Sequence, residues 1–433
     1  MDDDTTILFG LPGVAVRDVR RVDSARVVHV VTDDVGASAC PDCGVFSTKV
    51  RQRRTTNPKD IGYGEEPLTV TWHKTQYGCQ ERLCPRKAFT ECTAEIPAGA
   101  RATGRLRRAA GNAVAAGASV AAAVRQHGLS WPIVHTAFVA KADAELLEPL
   151  PVRVLGIDET RRGRPRWRQD PDTGQWVRMD MFETNFFDLD GDGGLLGQAG
   201  GRTKQTVIEW LDERGQAWKE RVQIVAIDPS ATYRSAIQEA LPHALIVADH
   251  FHLVLLANKA VTAVRQRVVR ETCGRRGRAT DPIWAGRRRL LRGRQSLSDK
   301  SYAAMLTGLI DNDATNQILA TWIAKEQLRE LFATVRTGGQ RHDIAHRLDC
   351  FYSWCAGAGA DIPELQRLAK TIDAWWPQIL AFLQTGITNA KTEGGNHLIK
   401  DAARVAFGFR NLENQRRRVR WACTRRQRLA VTG

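Results

Sequence analysis

Val222-Gln223-Ile224-Val225-Ala226-Ile227-Asp228-Pro229-Ser230 is the stretch that decides the fold. Residues 222–227 are apolar and rich in β-branched side chains, and Asp-Pro ends the run. That is the pattern of a short buried strand stopping at an acid. The same pattern recurs on both sides. Residues 152–157 lead into Asp158-Glu159, and residues 245–248 lead into Asp249. Between them, 184–189 reads as a strand, Gly191-Asp192-Gly193-Gly194 as a turn and 195–199 as a return strand. Residues 202–213 and 233–241 have helical spacing. A hairpin-linked run followed by βαβ units predicts a mixed sheet with crossover helices.

In such a sheet the strands ending at Asp158 and Asp228 can be neighbours, with both carboxylates at one edge. Two unpaired carboxylates so placed repel each other and raise a pKa. A hard divalent cation relieves that cost, and magnesium takes a few protein carboxylates while keeping several waters. A pair of such ions can activate a water or a 3′-hydroxyl and stabilise a leaving oxygen. Glu393, within Asn389-Ala390-Lys391-Thr392-Glu393-Gly394-Gly395-Asn396, is the candidate third carboxylate on a later helix. A single acid at a strand end is more often a cap or turn residue; the order and placement of all three favour chemistry.

Further out, the chain carries a formal charge of +15 over 433 residues, with 43% hydrophobic side chains. That length implies two to four domains. The charge favours a polyanionic partner, most commonly nucleic acid. No apolar run is long enough to span a bilayer. The acidic start MDDDTTILFG lacks a signal pattern, so the expected location is cytoplasmic with no membrane partner. Nine cysteines with irregular spacing argue against a disulfide framework. Two close pairs, Cys40/Cys43 and Cys79/Cys84, sit in a β-rich region with strand patterns at 14–19, 26–31 and 68–77. They suit tetrahedral zinc, although four residues rather than two separate the second pair. Cys92 is a spare and His73 an outside candidate. Cys350 and Cys355 do not share a helix face well and read as core.

Residues 101–116, 119–127 and 131–142 have helical spacing, broken at Gly128-Leu129-Ser130. Two helices across a short Gly-containing turn match a helix-turn-helix, with Ser119 and Ser130 as N-caps. The recognition helix would place Ser130, Trp131, His135 and Lys141 near DNA, flanked by Arg101, Arg105, Arg107 and Arg108. Pro149 and Pro151 mark a linker. After Asp249 the pattern is helical for roughly 130 residues. This part includes Arg-dense runs at 265–270 and 287–294, where Arg287, Arg288 and Arg289 would track a DNA backbone. Trp375-Trp376 reads as core. A last helical stretch begins near Thr392 and ends in a basic run at 414–420.

The chain resembles the ISL3 family of DDE transposases in a series of motifs that follow the right order along nearly its whole length. These are Cys40-Pro41-Asp42-Cys43-Gly44, Leu155-Gly156-Ile157-Asp158-Glu159 and Ile227-Asp228-Pro229-Ser230-Ala231-Thr232-Tyr233. They continue with Ala248-Asp249-His250-Phe251-His252, Thr392-Glu393-Gly394-Gly395-Asn396 and Phe407-Gly408-Phe409-Arg410-Asn411-Leu412-Glu413-Asn414. The resemblance implies a multidomain α+β chain. Its parts would be a zinc-ribbon-like module over 1–98, a helix-turn-helix over 99–150 and an RNase H-like α/β catalytic core over 151–250. A helical insertion over 251–385 and the core's C-terminal helical part over 386–433 would complete it. Asp158, Asp228 and Glu393 become the metal-binding catalytic triad, using magnesium or manganese. Asp249 and His250 are placed at the active-site edge in support, and Glu159 points away. Tyr233, Arg404, Arg410 and Asn414 are candidates for phosphate contact or for holding the Glu393 helix.

The implied function is transposition of a bacterial insertion sequence. The protein would bind terminal inverted repeats in double-stranded DNA, cleave phosphodiesters and join 3′ ends to target DNA, as a homo-oligomer in the cytoplasm or nucleoid. The alternative is a catalytically inactive DNA-binding regulator on the same scaffold.

Overall fold

The computed structural model describes residues 4–23, 25–62, 68–179 and 181–424. Two compact units emerge: the chain up to Glu148 together with Lys400–Ala422, and Pro149–Ile399.

The first unit opens with a short helix α1 (Asp4–Phe9) and strands β1 (Val14–Val22), β2 (Ala25–Thr32), β3 (Val50–Thr56), β4 (Leu68–Gly78) and β5 (Ala88–Thr90). Their order is β1-β2-β4-β3, with β5 also on β4. Period-two positions bury one face: Val14 and Val16, Val28 and Val30, Val70 and Trp72, closed by Leu11 and Ile96. Helices α2 (Gly104–Ala115), α3 (Val120–His127) and α4 (Trp131–Glu145) follow. The first of them starts later than the expected position 101 because Thr103 caps it, its side chain accepting from Leu106 N. Ser119 caps α3 by accepting from Ala122 N, and Gly128 closes it in the left-handed region at φ 61°. Ser130 stands at the N-cap of α4 but makes no side-chain cap bond.

The second unit is built on β6 (Val154–Arg161), β7 (Arg166–Gln169), β8 (Trp176–Met179), β9 (Phe182–Asp188) and β10 (Leu195–Gly200). Helices α5 (Lys204–Asp212) and α6 (Gln216–Arg221), strand β11 (Ile224–Ile227), helix α7 (Ala231–Ala240) and strand β12 (Leu245–Ala248) continue it. The order β10-β9-β6-β11-β12 gives the mixed sheet expected, while β7 and β8 form a separate two-stranded ribbon. Pairing is parallel for β6, β11 and β12 and antiparallel for β6, β9 and β10. One expectation is corrected here. Strand β6 does not stop at Asp158 but runs to Arg161, because antiparallel β9 keeps pairing with it after parallel β11 has ended.

Seven helices follow: α8 (His250–Cys273), α9 (Pro282–Leu290), α10 (Asp299–Asn312), α11 (Gln317–Ala333), α12 (Arg341–Ala356), α13 (Pro363–Ala374) and α14 (Trp376–Thr385). Fully buried Lys325 ties α11 to the end of α9, donating from Nζ to the carbonyls of Leu290 (2.7 Å) and Arg292 (2.8 Å). Those carbonyls are orphans of a helix terminus, so the buried ammonium satisfies them as it satisfies itself. Helices α15 (Ala390–Val405) and α16 (Leu412–Cys423) are the last elements among the described residues. The segment 386–433, expected to act as one piece, is divided at Ile399/Lys400. The physical reason lies in α16, whose Trp421 joins Leu106, Ala110, Val114, Val134 and Phe138 in the helical core of the first unit. The expected part of this segment over 425–433 lies outside the described residues. No helix among the described residues is long and apolar enough to cross a membrane.

Helix α15 lies directly on the sheet because two positions lack side chains. A Cβ on Gly156 of β6 would run into Thr392 Oγ1, and one on Gly395 of α15 would run into the ring of Phe187. Overpacking of this kind costs about 1–3 kcal/mol. We expect Gly395→Ala to lower the thermal midpoint by several degrees and Gly395→Val to lower it further, both read by thermal denaturation. An unchanged midpoint in both variants would refute this close approach.

A row of carboxylates and a cluster of thiols

Register fixes the site in the second unit. Ile157 of β6 pairs with Ile227 of β11, and Ile227 pairs with Ala248 of β12. The next residue on each strand is an aspartate: Asp158, Asp228 and Asp249. With neighbouring strands about 4.8 Å apart, three carboxylates stand in one row at the carboxyl ends of three parallel strands. That edge is where open α/β sheets place their ligands.

Each carboxylate is held by donors. Asp158 Oδ1 accepts from Glu159 N at 2.7 Å, and Oδ2 accepts from Asn396 Nδ2. Asp228 Oδ2 lies 2.9 Å from His252 Nε2, and its Oδ1 is 3.5 Å from Asn389 Nδ2. Asp249 Oδ2 lies 2.9 Å from His252 Nδ1, while its buried Oδ1 makes no hydrogen bond and lies 3.8 Å from His250 Nδ1. The imidazole of His252 therefore bridges two of the three acids. Burial first, and then the charge of Asp228, push the Asp158 carboxyl up to about 7. Hydrogen bonding to Asp228, and then to Asp249, pushes His252 up to about 10, so it is a cation at neutral pH. The row carries an excess of negative charge that the protein's own imidazolium offsets in part.

Glu393 lies in the first turn of α15 and is exposed. Among the described residues no hydrogen bond or ion pair joins it to either aspartate, but Asn389, Glu393 and Asn396 follow the i, i+4, i+7 spacing of one helix face. The two asparagines of that stripe are the ones that reach Asp228 and Asp158. Glu393 thus shares its face with the residues on the row.

By sequence, Asn389 and Asn396 stand only as neighbours of Glu393 in its motif, and His252 only as part of Asp249-His250-Phe251-His252, a stretch able to supply a ligand or base near the site. His252 had a readable signal: Asp249 precedes α8, and a residue three positions on falls on the same face. His250, expected in support, has its Nδ1 3.8 Å from Asp249 Oδ1 and is partly buried. Its ring stacks on Phe382 at 4.5 Å between centroids, and burial lowers its pKa. Tyr233 is buried with its hydroxyl 3.1 Å from Thr184 Oγ1, so it packs within the sheet layer. Arg404 bonds Asp401, Arg410 is exposed, and Asn414 accepts from Arg417.

In the first unit Cys40, Cys43, Cys79 and Cys84 bring their Sγ atoms within 4.8 Å of one another. Cys40 to Cys84 is 3.9 Å and Cys43 to Cys79 is 3.6 Å. These are far from a disulfide length and close to the roughly 3.8 Å edge of a tetrahedron built on zinc–sulfur bonds of about 2.3 Å. The donor set fits zinc. Cys92 lies outside the cluster, and His73 stacks on His29 at 5.4 Å. Cys355 is core as expected, with its thiol pushed up to about 12 by burial, while Cys350 is half-buried beside His346.

The arginines expected on DNA divide by environment. Arg105 is bonded to Asp60 and to the carbonyl of Phe9, and Arg108 pairs with Glu95 at 2.8 Å. Arg101 is exposed, and Arg107 is half-buried with an unpartnered Nε. On α4, exposed Trp131 stacks on His135 at 4.7 Å, Ser130 is exposed and Lys141 pairs with Glu145. On α9, Arg288 and Arg289 are exposed, whereas Arg287 lies over the Trp284 ring at 3.4 Å.

Comparison with known proteins gives this arrangement its context. Residues 37–84 match a zinc-finger of the transposases of IS204, IS1001, IS1096 and IS1165, a span that contains all four clustered cysteines. The chain is 26% identical over 377 residues to the transposase for insertion sequence element IS1001 of Bordetella parapertussis, covering 86% of each. It is also 26% identical over 282 residues to the transposase for IS1557 of Mycobacterium tuberculosis, covering 60% of this chain and 57% of that one. Residues 155–419, from the first strand of the carboxylate row into the last helix, match the ISL3-type DDE transposase family, and the chain belongs to that family.

Proposed function

We propose that this chain is an active transposase that cleaves DNA at its element's ends and joins the freed 3′-hydroxyl to target DNA. The observation that carries the reading is the in-register row of Asp158, Asp228 and Asp249 beneath the helix stripe of Glu393. The donors are hard oxygens, and one of them, Asp249 Oδ1, is buried without a hydrogen bond. That set suits magnesium or manganese, with Asp158, Asp228 and Glu393 as the principal ligands. Bound there, divalent metal lowers the pKa of an attacking water and offsets charge on the leaving oxygen.

The protein's own part is positional. Asn396 and the Glu159 amide fix the plane of the Asp158 carboxylate. His252 and Asn389 do the same for Asp228. The mixed sheet with its helical insertion supports an RNase H-like core. Zinc, held by the four cysteines, shapes the β-module, and α3 with α4 forms the helix-turn-helix that reads terminal repeats. Trp131 and His135 sit at the exposed start of its second helix. Pairing of two DNA ends calls for a homo-oligomer on DNA.

The test is cleavage of a labelled duplex carrying the element's terminal repeat. We expect magnesium-dependent nicking at the repeat boundary, abolished in Asp228→Ala and in Glu393→Gln, with DNA binding in EDTA retained. Binding without cutting under any metal in the unaltered protein would instead make the chain a DNA-binding regulator.

A second expectation concerns pH. Because the Asp158 carboxyl sits at about 7, it holds a proton below that pH that a cation must displace. Manganese affinity should therefore fall about tenfold per pH unit below 7 and level off above it, as read by calorimetric titration. Asp158→Asn should flatten the profile. A flat profile in the unaltered protein would remove Asp158 from the metal site.

A third concerns zinc. We expect about one zinc per chain by elemental analysis, lost in Cys43→Ser. That variant should also lose binding to the terminal repeat while keeping the second unit's thermal transition. Full repeat binding by the zinc-free variant would separate the module from DNA recognition.

A further inference from the structure

The ribbon β7–β8 interrupts the catalytic sheet between β6 and β9, and neither sequence motif nor site chemistry accounts for it. All eight of its paired residues are exposed, so neither face packs on anything. An isolated two-stranded ribbon is at best marginally stable in water, yet this one has a built turn. Asp170 Oδ1 accepts from the amides of Asp172 and Thr173, both at 2.9 Å, and Gly174 adopts φ 66°. Its composition is one-sided. Arg161, Arg162, Arg164, Arg166 and Arg168 fill five of the eight positions 161–168, and Arg178 lies on the return strand. The only acids between 161 and 179 are Asp170 and Asp172, both in the turn.

The register sorts the ribbon's faces. Arg166 pairs with Met179, Trp167 with Arg178, Arg168 with Val177 and Gln169 with Trp176. Opposed residues share a face and alternate residues swap faces. Arg166 and Arg168 therefore lie on one side, and Trp167, Trp176 and Arg178 on the other. Trp167 and Trp176 are 62% and 65% exposed, far more than tryptophan at a surface without a partner usually is. Among the described residues Arg164, Arg166 and Arg168 have no ion-pair partner.

We propose that this ribbon is a DNA-binding arm that grips the duplex beside the phosphodiester being cut; the inference rests on the transposase reading above. A two-stranded ribbon is a shape the major groove admits. The location agrees. Arg161 follows Asp158 by three residues on the same strand, roughly 10 Å along it. A duplex with its scissile phosphate at the carboxylate row therefore runs past the root of the ribbon within one helical turn. Unpaired guanidinium groups meet phosphates on one face, and the apolar tryptophan surface is covered as the arm seats.

The test uses the full chain and a labelled 30-base-pair duplex of mixed sequence. Binding is followed by fluorescence anisotropy in EDTA across a salt series from about 50 to 200 mM, where counterion release sets the dependence. The triple variant R164A/R166A/R168A should flatten the plot of log affinity against log salt by about 2.7, since each phosphate contact contributes about 0.9. Its loss of affinity across that salt range should be roughly fortyfold smaller than that of the unaltered protein. The triple variant R164K/R166K/R168K should restore the slope, which separates lost charge from misfolding. An unchanged slope in the alanine variant overturns the proposal while leaving the transposase reading intact. If that slope holds and W167A/W176A changes the sedimenting mass instead, the ribbon seats a second copy of the chain, and the proposal also falls. Failure of the unaltered protein to bind any duplex would defeat both.

Discussion

Like charges held in one row are the constraint around which the second unit is arranged. Parallel pairing of β6, β11 and β12 leaves no freedom in where Asp158, Asp228 and Asp249 emerge, because the register of the preceding residues sets it. Three carboxylates at adjacent strand ends repel strongly in a partly buried setting. The surroundings answer that repulsion with an imidazolium between two of them, two side-chain amides and a proton on Asp158. The glycines at 156 and 395 belong to the same arrangement, since only without their Cβ atoms does α15 come close enough for Asn396 to reach Asp158.

What could be read from sequence follows burial. Strands β11 and β12 are buried between neighbours and appear as short apolar runs, so Asp228 and Asp249 were placed correctly at their ends. The end of β6 was misjudged because its continuation pairs only with β9, and residues 158–161 carry the polar side chains of a half-solvated edge. Strands β3, β7 and β8 bury almost nothing and have no apolar alternation to detect. In Asp249-His250-Phe251-His252 the residue types are informative, but only the helical phase shows that His252 bridges Asp228 and Asp249 while His250 lies beside Asp249 alone. The tie between Arg105 and Asp60 was out of reach, since 45 positions separate them and nothing local marks the pair.

Charge runs were the least dependable sequence signal. The segment 265–270 looks like a phosphate-tracking stripe, yet Arg265 is buried and Arg267 is bound to Glu364 and Gln317. A helix distributes consecutive arginines around its axis, so some must face the interior and find partners there. A ribbon with both faces in water imposes no such requirement. Arginines on β7 therefore remain outward whatever their parity, and a formal charge of +15 says less about binding than where it stays unpaired.

The helical stretch from α8 to α14 begins and ends at the carboxylate row. Its first turn supplies His252 to Asp228 and Asp249, and the chain that returns from α14 supplies Asn389 to Asp228. The two contacts on Asp228 thus come from opposite ends of a long helical excursion, and Asn396 reaches Asp158 across 238 positions of sequence. Strand pairing alone creates the electrostatic problem; the first helical turn brings His252 to relieve part of it, and the two amides arrive only when the chain returns. A chain that has formed its sheet and α8 but not docked α15 would keep the imidazolium of His252 and lack both amides, so the charge of the row favours docking α15 on the sheet.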